Sequence, residues 1–131
     1  MIKKVILSVV AVFAAWAVMD FIIHGLILRS SYEATAYLWR PMDEMKMGLM
    51  YLTILVSAAA FVYIYVRLIE PKAIDAGLKY GLLFGLGVGI SMGLGSYSVM
   101  PIPYDMALVW SLGSLAEGAM GGLLVGLIIR N

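Results

Sequence analysis

Four long apolar runs constrain the fold of this chain more than any other feature of its sequence. They cover residues 5–28, 47–69, 80–100 and 107–129. Each run reaches the about 20 predominantly apolar residues that a helix needs to cross a bilayer. Only 13% of the 131 residues are charged, about half the share typical of a soluble domain. The sequence therefore predicts an all-α fold, a single transmembrane domain over residues 1–131 built as an integral-membrane four-helix bundle with up-down topology.

Charge and cysteine content exclude several classes of protein. The formal net charge is +1, and the chain has no cysteine. No basic cluster favours binding to nucleic acid. The expected partner is the lipid bilayer, because of the four apolar runs. Without cysteine, the chain can form neither disulfide bonds nor thiolate metal sites.

The N-terminus shares some features with a secretory signal. Lys3 and Lys4 precede the first apolar run, which contains the small residues Ala15 and Ala17. The run continues to residue 28, however, beyond the roughly 7–15 apolar residues of a signal core. We therefore expect residues 5–28 to form a retained helix.

Lys and Arg are distributed unequally between the two sides of the predicted bundle. Positively charged residues concentrate in cytoplasmic segments. If the N-terminus is cytoplasmic, six of the nine Lys and Arg lie on that side, at residues 3, 4, 67, 72, 79 and 130. The other three lie between residues 29 and 46, where a short interfacial helix around residues 32–39 is also expected. This distribution predicts that both termini are cytoplasmic (N-in/C-in).

Small residues recur every four positions in the last two runs. In a bilayer they let helix backbones approach closely, where hydrophobic burial cannot drive association. We therefore expect these two helices to pack as a glycine-lined pair. The residues concerned are Gly81, Gly85, Gly89 and Gly93 in the third run, and Ser114, Gly118, Gly122 and Gly126 in the fourth.

A second line of small residues lies on another face of the third run, at Gly87, Ser91 and Gly95. A helix with two such faces should contact two neighbours closely. We therefore expect the third helix to lie centrally in the bundle. The alternative is that one of the lines contacts another copy of the chain, in a homo-oligomer, or a partner membrane subunit.

Three ionisable side chains lie well inside the apolar runs: Asp20, His24 and Glu117. Such groups are costly in hydrocarbon and usually face the bundle interior or a water-filled cavity. Asp20 and His24 are four residues apart and share one helix face. At a rise of about 1.5 Å per residue, Asp20 lies about 12 Å and Glu117 about 15 Å from the same predicted membrane surface. We expect the two carboxyls at similar depth, with Ser114 beside Glu117.

Three interpretations of this polar site are open. It can be a hydrogen-bonded cluster that fixes the register of the helices. It can bind a proton or a cation during transport, since two carboxyls and an imidazole lie at one depth. Or His24 can ligate a haem, a pigment or a metal, because imidazole is the commonest metal ligand in proteins. The sequence identifies no particular cofactor.

Methionine is frequent in this chain, with ten residues. Met42, Met45 and Met47 cluster just before and at the start of the second run. Thioethers are suitable ligands for Cu(I), so the cluster is a candidate soft-metal site. Methionine also fills irregular apolar space, and the neighbouring Asp43 and Glu44 indicate a solvated loop, which favours this second interpretation.

Several motifs together give the chain a family resemblance. The first helix carries Trp16-x3-Asp20-x3-His24-Gly25, the following segment carries Leu38-Trp39-Arg40-Pro41, and residues 77–85 open a glycine-rich third helix that precedes a glycine-rich fourth. In this combination the chain resembles a widespread group of small four-span bacterial membrane proteins of unknown function. The resemblance implies the four-helix fold and no activity. We expect the chain to reside in a bacterial inner (plasma) membrane.

From these patterns we expect a small non-enzymatic membrane protein that transports ions, protons or small solutes as an oligomer, through a site formed by Asp20, His24, Glu117 and Ser114. The alternative is an accessory subunit of a larger respiratory, photosynthetic or metal-handling membrane complex, in which the glycine faces contact neighbouring subunits. An enzyme is disfavoured, because the sequence offers no nucleophile–base pair and no multi-histidine metal set.

Overall fold

The chain is helical and contains no strand, as a computed structural model of residues 1–131 shows. Four of its helices are long and apolar enough to cross a membrane, which confirms the predicted all-helical fold with four candidate spans. A short helix follows the first of them. In chain order the helices are α1 (Ile2–Ile27), α2 (Arg29–Ala34), α3 (Met47–Leu68), α4 (Ile74–Val99) and α5 (Tyr104–Ile128).

Prolines and charged first turns set the helix boundaries. Helix α3 ends at Leu68, before Pro71, and α5 begins directly after Pro103, whose backbone is extended. Helix α4 begins at Ile74, earlier than the predicted residue 80, because its first turns are polar and amphipathic and lie outside the apolar run. There the carboxylate of Asp75 interacts favourably with the positive end of the helix dipole. It also lies 3.6 Å from the amine of Lys79, one turn later.

The connection between α1 and α3 is largely structured. Helix α2 covers Arg29–Ala34, and a 3₁₀ turn follows at Ala36–Leu38, so the expected helix around residues 32–39 begins and ends slightly earlier. The backbone becomes extended at Trp39, just before Arg40-Pro41. Since a proline disfavours the helical region for the residue before it, this dipeptide ends the helical path.

Helices α4 and α5 are antiparallel and pack backbone to backbone. A Cβ added to Gly81 would come within 3.0 Å of backbone atoms of Gly118 and Gly122, and a Cβ added to Gly118 would meet the backbone of Gly85 at 2.7 Å. Close approach of this kind continues along the whole contact between the two helices, where the glycines of the packed line meet mostly backbone atoms of the other helix. The remaining participants are Gly77, Gly89 and Gly93 on α4, with Ala107, Ser111, Ser114 and Gly126 on α5.

Helix α5 presents a second small-residue face, directed toward α1. Gly113 lies against the side chain of Ile23, and Gly121 lies against the rings of Trp16 and Phe61, with Trp16 3.1 Å from the position of an added Cβ. The prediction that the third spanning helix is central is therefore wrong, because the helix with two packed faces is the fourth. On α4 the second line of small residues stays open, and a Cβ added to Gly87 would meet nothing within 4 Å.

The end of the bundle that carries both chain termini, the terminal end, is closed by an aromatic cluster reaching to the middle of the helices. Phe61 stacks on Tyr80 with ring centroids 4.5 Å apart and meets Trp16 edge-on at 5.2 Å. The Tyr80 hydroxyl donates to the Phe61 carbonyl at 2.9 Å, and the Tyr65 hydroxyl donates to the Ile129 carbonyl at 3.2 Å. These contacts join all four long helices, since Ile129 directly follows α5.

The opposite end, where residues 28–46 and 100–103 connect the helices, is the loop end. Its buried cluster comprises Ile23, Leu28, Ile102, Met106 and Ala107, and α3 contributes none of them. Every residue from 41 to 53 is exposed, including the first turns of α3. The loop end of α3 therefore stands away from the other helices, and the bundle is open there.

Candidate functional site

A cavity of about 1300 Å³ occupies the space that α3 leaves open at the loop end. Residues of α1, α3, α4 and α5 line it, and the segment between α1 and α3 borders its mouth. Its walls are apolar, with Met50 and Ile54 on α3 opposite Val88 and Met92 on α4. Trp16, Asp20 and Glu117 line its deep part, near the middle of α1 and α5, so the polar groups lie at the bottom of an apolar recess.

The helix type of α1 changes at the point where its polar residues line the cavity. The helix is α-helical to Asp20 and π-helical over Phe21–Ile27, where the Leu28 amide donates to the Ile23 carbonyl, five residues back, at 2.9 Å. Such wide turns in a helix occur frequently at functional sites. Across this junction the Nε2 atom of His24 lies 3.8 Å from an oxygen of Asp20. Both side chains line the cavity.

His24 is linked to α5 through a tyrosine of α2. The Nδ1 atom of His24 lies 2.6 Å from the hydroxyl oxygen of Tyr32, and the Trp110 indole N–H donates to the same oxygen at 2.8 Å. Because the indole can only donate, the tyrosine keeps its own proton free to donate to Nδ1. A neutral His24 that accepts this hydrogen bond carries its proton on Nε2, directed at Asp20.

Tyr32 lies outside the four helices that are long and apolar enough to cross a membrane, and its environment changes its acidity. Burial raises the pKa of the Tyr32 hydroxyl above its ordinary value of 10.0. The hydrogen bond from Trp110 acts in the opposite direction, and the negative charge of Asp20 adds to the increase. The hydroxyl is therefore a donor over the whole neutral pH range, as its link to His24 requires.

Glu117 lies on the α1-facing side of α5, one turn from Gly113 and one turn from Gly121. Its backbone carbonyl accepts a hydrogen bond from the Trp16 indole at 2.7 Å, which fixes the position of α1 along α5. Its carboxyl lines the same cavity as that of Asp20, and its Oε1 atom is buried without a hydrogen-bond partner. No Lys or Arg forms an ion pair with either carboxyl.

The structure brings Asp20, His24 and Glu117 together at one cavity. Ser114, expected beside Glu117, also borders the cavity, but it packs against α4, where its Cβ faces Gly89. Its hydroxyl forms no hydrogen bond with the carboxyls. Tyr32 and Trp110 were missed as site residues, because aromatic residues near a membrane boundary are common and only the tertiary fold joins them to His24.

The candidate metal ligands are placed less favourably. Met42, Met45 and Met47 border the mouth of the cavity and are exposed. The two ring nitrogens of His24 face Tyr32 and Asp20, so a metal or a haem would have to displace one of these contacts. No group of three or more His, Cys, Asp or Glu side chains converges to hold a metal ion.

Comparisons with known protein families, with curated proteins and with solved structures find no match for this chain. The resemblance to small four-span bacterial membrane proteins therefore stays a prediction. The candidate site of the chain consists of two carboxyls, Asp20 and Glu117, and the imidazole of His24, which line one largely apolar cavity.

Proposed function

We propose that this chain is a small non-enzymatic membrane protein that transports a proton or a small solute through the cavity at its loop end. The observation that carries the proposal is that Asp20, His24 and Glu117 line this one cavity, with His24 Nε2 3.8 Å from an oxygen of Asp20. Ionisable residues in spanning helices mark ion and proton pathways when they face a water-filled space. Ser114 borders the same space and adds a hydroxyl to its polar surface.

The arrangement supports a transport role better than a purely structural one. A polar cluster that only fixes helix register is fully hydrogen-bonded, since unsatisfied buried groups are costly. Here one oxygen of Glu117 has no partner, and the side chain of His24, which lines the cavity, is 44% exposed. The side chains therefore retain binding capacity for a proton or a solute.

We also propose on which side of the membrane the termini lie, in which membrane the chain resides and whether copies of it work together. Six of nine Lys and Arg residues favour cytoplasmic termini, which would open the cavity to the outside of a bacterial inner membrane. We further propose that the chain works as a homo-oligomer. A four-span chain has few internal faces, and the open small-residue line at Gly87, Ser91 and Gly95 offers a surface for a second copy.

Flux measurements in proteoliposomes test the transport proposal. An imposed pH gradient should dissipate faster with the protein than without it, as reported by a pH-sensitive dye inside the vesicles. Glu117→Gln and Asp20→Asn should each reduce this flux by about tenfold or more, the effect of about 1.4 kcal/mol on a rate. The matched control is Glu44→Gln, which makes the same chemical change at an exposed residue outside the cavity. Flux that survives both site variants unchanged would reject the proposal.

A second candidate is an accessory subunit of a respiratory, photosynthetic or metal-handling membrane complex. The specific observation in its favour is the same open face of α4, which suits a neighbouring helix of another protein as well as a second copy. Purification in mild detergent separates the two, since an accessory subunit should bring stoichiometric partners of different mass. An absorption spectrum and a metal assay of that sample test His24 as a ligand of haem, pigment or metal.

A further inference from the structure

We infer that the solute of this cavity is an amphipathic organic cation, whose charged group binds between Asp20 and Glu117 in exchange for a proton. The inference rests on the proposed function, because it names the class of solute for the same cavity. It is carried by three features of the cavity: the sign of the charge at its bottom, the composition of its walls and the side from which it opens.

The charge inside the cavity is distributed by depth. The deep part holds two carboxyls, Asp20 and Glu117, and no Lys or Arg. At the mouth, the Arg29 guanidinium is 3.2 Å from Glu33 and is thereby neutralised. Arg40 also borders the mouth and forms no ion pair. An anion entering the cavity would meet uncompensated negative groups at its bottom, whereas a cation would supply the missing counter-charge.

The walls of the cavity suit an organic molecule. A bare inorganic cation needs a cage of oxygen ligands, whereas most of this lining is apolar. Five methionines border the cavity, and this unbranched side chain adapts to ligands of different shape. Trp16 and Phe84 add aromatic surface near the carboxyls, which is favourable for organic cations. These methionines are Met42, Met45, Met47, Met50 and Met92.

The volume of about 1300 Å³ is also larger than a proton or a metal ion requires. It exceeds the about 300–1,000 Å³ of most small-molecule sites. The open position of α3, exposed from residue 47 to residue 53, gives access from the side of the bundle as well as from its end. A solute with an apolar body can therefore enter from the lipid phase.

The exchange with a proton follows from the pairing of the carboxyls. Asp20 and Glu117 line the deep part of one largely apolar cavity, no Lys or Arg forms an ion pair with them, and one oxygen of Glu117 is buried. Two carboxyls brought together in such surroundings do not both carry charge unless a cation lies between them. Binding of one monovalent cation thus releases the one proton that the pair shares, and the charge of the site is conserved. The other titratable or charged groups that face the cavity are His24 on α1, Arg29, Tyr32 and Glu33 on α2, Arg40 in the loop and Tyr51 on α3, whereas α4 contributes none.

Two probes of equal shape and opposite charge test the inference: tetraphenylphosphonium and tetraphenylborate. Binding to the purified full chain in detergent is measured by the quenching of tryptophan fluorescence, since Trp16 and Trp110 both line the cavity. We expect tetraphenylphosphonium to bind at least about tenfold more tightly than tetraphenylborate, and its affinity to fall on acidification. Glu117→Gln should weaken phosphonium binding by about tenfold or more, whereas Glu44→Gln should leave it unchanged.

The possible outcomes separate this inference from the proposed function. Preferential binding of the cation that depends on Glu117 supports both. Equal binding of the two probes, cation affinity that does not change with pH, or cation binding that Glu117→Gln leaves intact overturns the inference. If the cation does not bind while proton flux still depends on Glu117, the inference fails and the transport proposal stands. Folding of each variant is checked by its elution profile and thermal midpoint, and Asp20→Asn serves as the second site variant.

Discussion

At the scale of single residues, Tyr32 is the link that organises the site. Its hydroxyl oxygen contacts His24 and receives the Trp110 hydrogen bond, so it joins α1, α2 and α5. Its ring meets that of Trp39 edge-on, with centroids 5.4 Å apart. Because the ring is held in place, the Tyr32 hydroxyl can set the tautomer and orientation of His24.

Removal of the Tyr32 hydroxyl should change the alkaline stability of the protein. Because burial raises its pKa, the folded chain keeps the phenolic proton at pH values above 10.0 at which the unfolded chain has lost it. This contribution to stability is complete below the unfolded pKa and is lost as the pH rises through the folded one. As the pH rises above 10.0, the thermal midpoint of the native protein should therefore fall more steeply than the midpoint of Tyr32→Phe.

The control for this prediction is Tyr37→Phe, at a neighbouring tyrosine that is 77% exposed. Its midpoint should follow that of the native protein at every pH. Parallel curves for the native protein and Tyr32→Phe would show that the hydroxyl is not coupled to folding.

The sequence allows the ionisable residues of the site that lie within the apolar runs to be predicted. It does not allow the aromatic residues of the site to be predicted. Asp20, His24 and Glu117 are conspicuous because ionisable groups are rare within apolar runs. The helix rise per residue predicts that the two carboxyls lie at similar distances from the membrane surface. It does not predict whether the helix faces that carry them are in contact. Tyr32 and Trp110 are 78 residues apart, and only the packing of α2 against α5 brings them into contact.

At the scale of helices, the close contact of α4 with α5 depends on the absence of side chains. Gly81→Ala should strongly destabilise the bundle, because the added Cβ would lie within 3.0 Å of the backbone of α5 and the helices would have to separate. Overpacking of this kind costs about 1–3 kcal/mol, occasionally more. The thermal midpoint in detergent should fall clearly.

Gly87→Ala is the matched control on the same helix. In a monomeric detergent sample its Cβ would meet nothing within 4 Å, so the midpoint should stay constant or rise slightly, since alanine favours a helix over glycine by up to about 1 kcal/mol. In the proposed homo-oligomer a second copy would cover this face, and the midpoint should fall instead. Equal losses in the two variants would mean that the open face of α4 is covered too, as it would be in the proposed oligomer. If both variants kept the thermal midpoint of the native protein, this result would contradict the backbone contact between α4 and α5.

The error about the central helix has a physical cause. Spacing alone shows that a helix can approach a neighbour closely, and it does not show that a neighbour is there. Gly113, Glu117 and Gly121 form a line on α5 with the same four-residue spacing. A carboxylate interrupts this line, so it does not stand out as a packing face, yet α1 packs along it through Trp16 and Ile23.

At the scale of the whole molecule, the bundle is asymmetric, closed at the terminal end and open at the loop end. Hydropathy could not predict this difference, because a residue that faces lipid and a residue that faces the bundle core are equally apolar. The aromatic rings of Phe61, Tyr80 and Phe84 hold α3 against α4 at the closed end. In the exposed first turns of α3, Tyr51 faces the cavity but makes no aromatic contact with α4, so the cavity lies between the two helices.

Under the proposed transport function, the side of the membrane that the cavity faces decides which solutes reach Asp20 and Glu117. Single introduced cysteines can determine this side. The chain has no cysteine, so one new thiol reports one position. We expect a membrane-impermeant maleimide to label Tyr37→Cys in intact cells and to label Asn131→Cys only after permeabilisation. The excess of Lys and Arg at the terminal end gives the reason, since these residues stay in the cytoplasm. The reverse pattern would place the mouth of the cavity in the cytoplasm, and the site would then collect its solute from inside the cell.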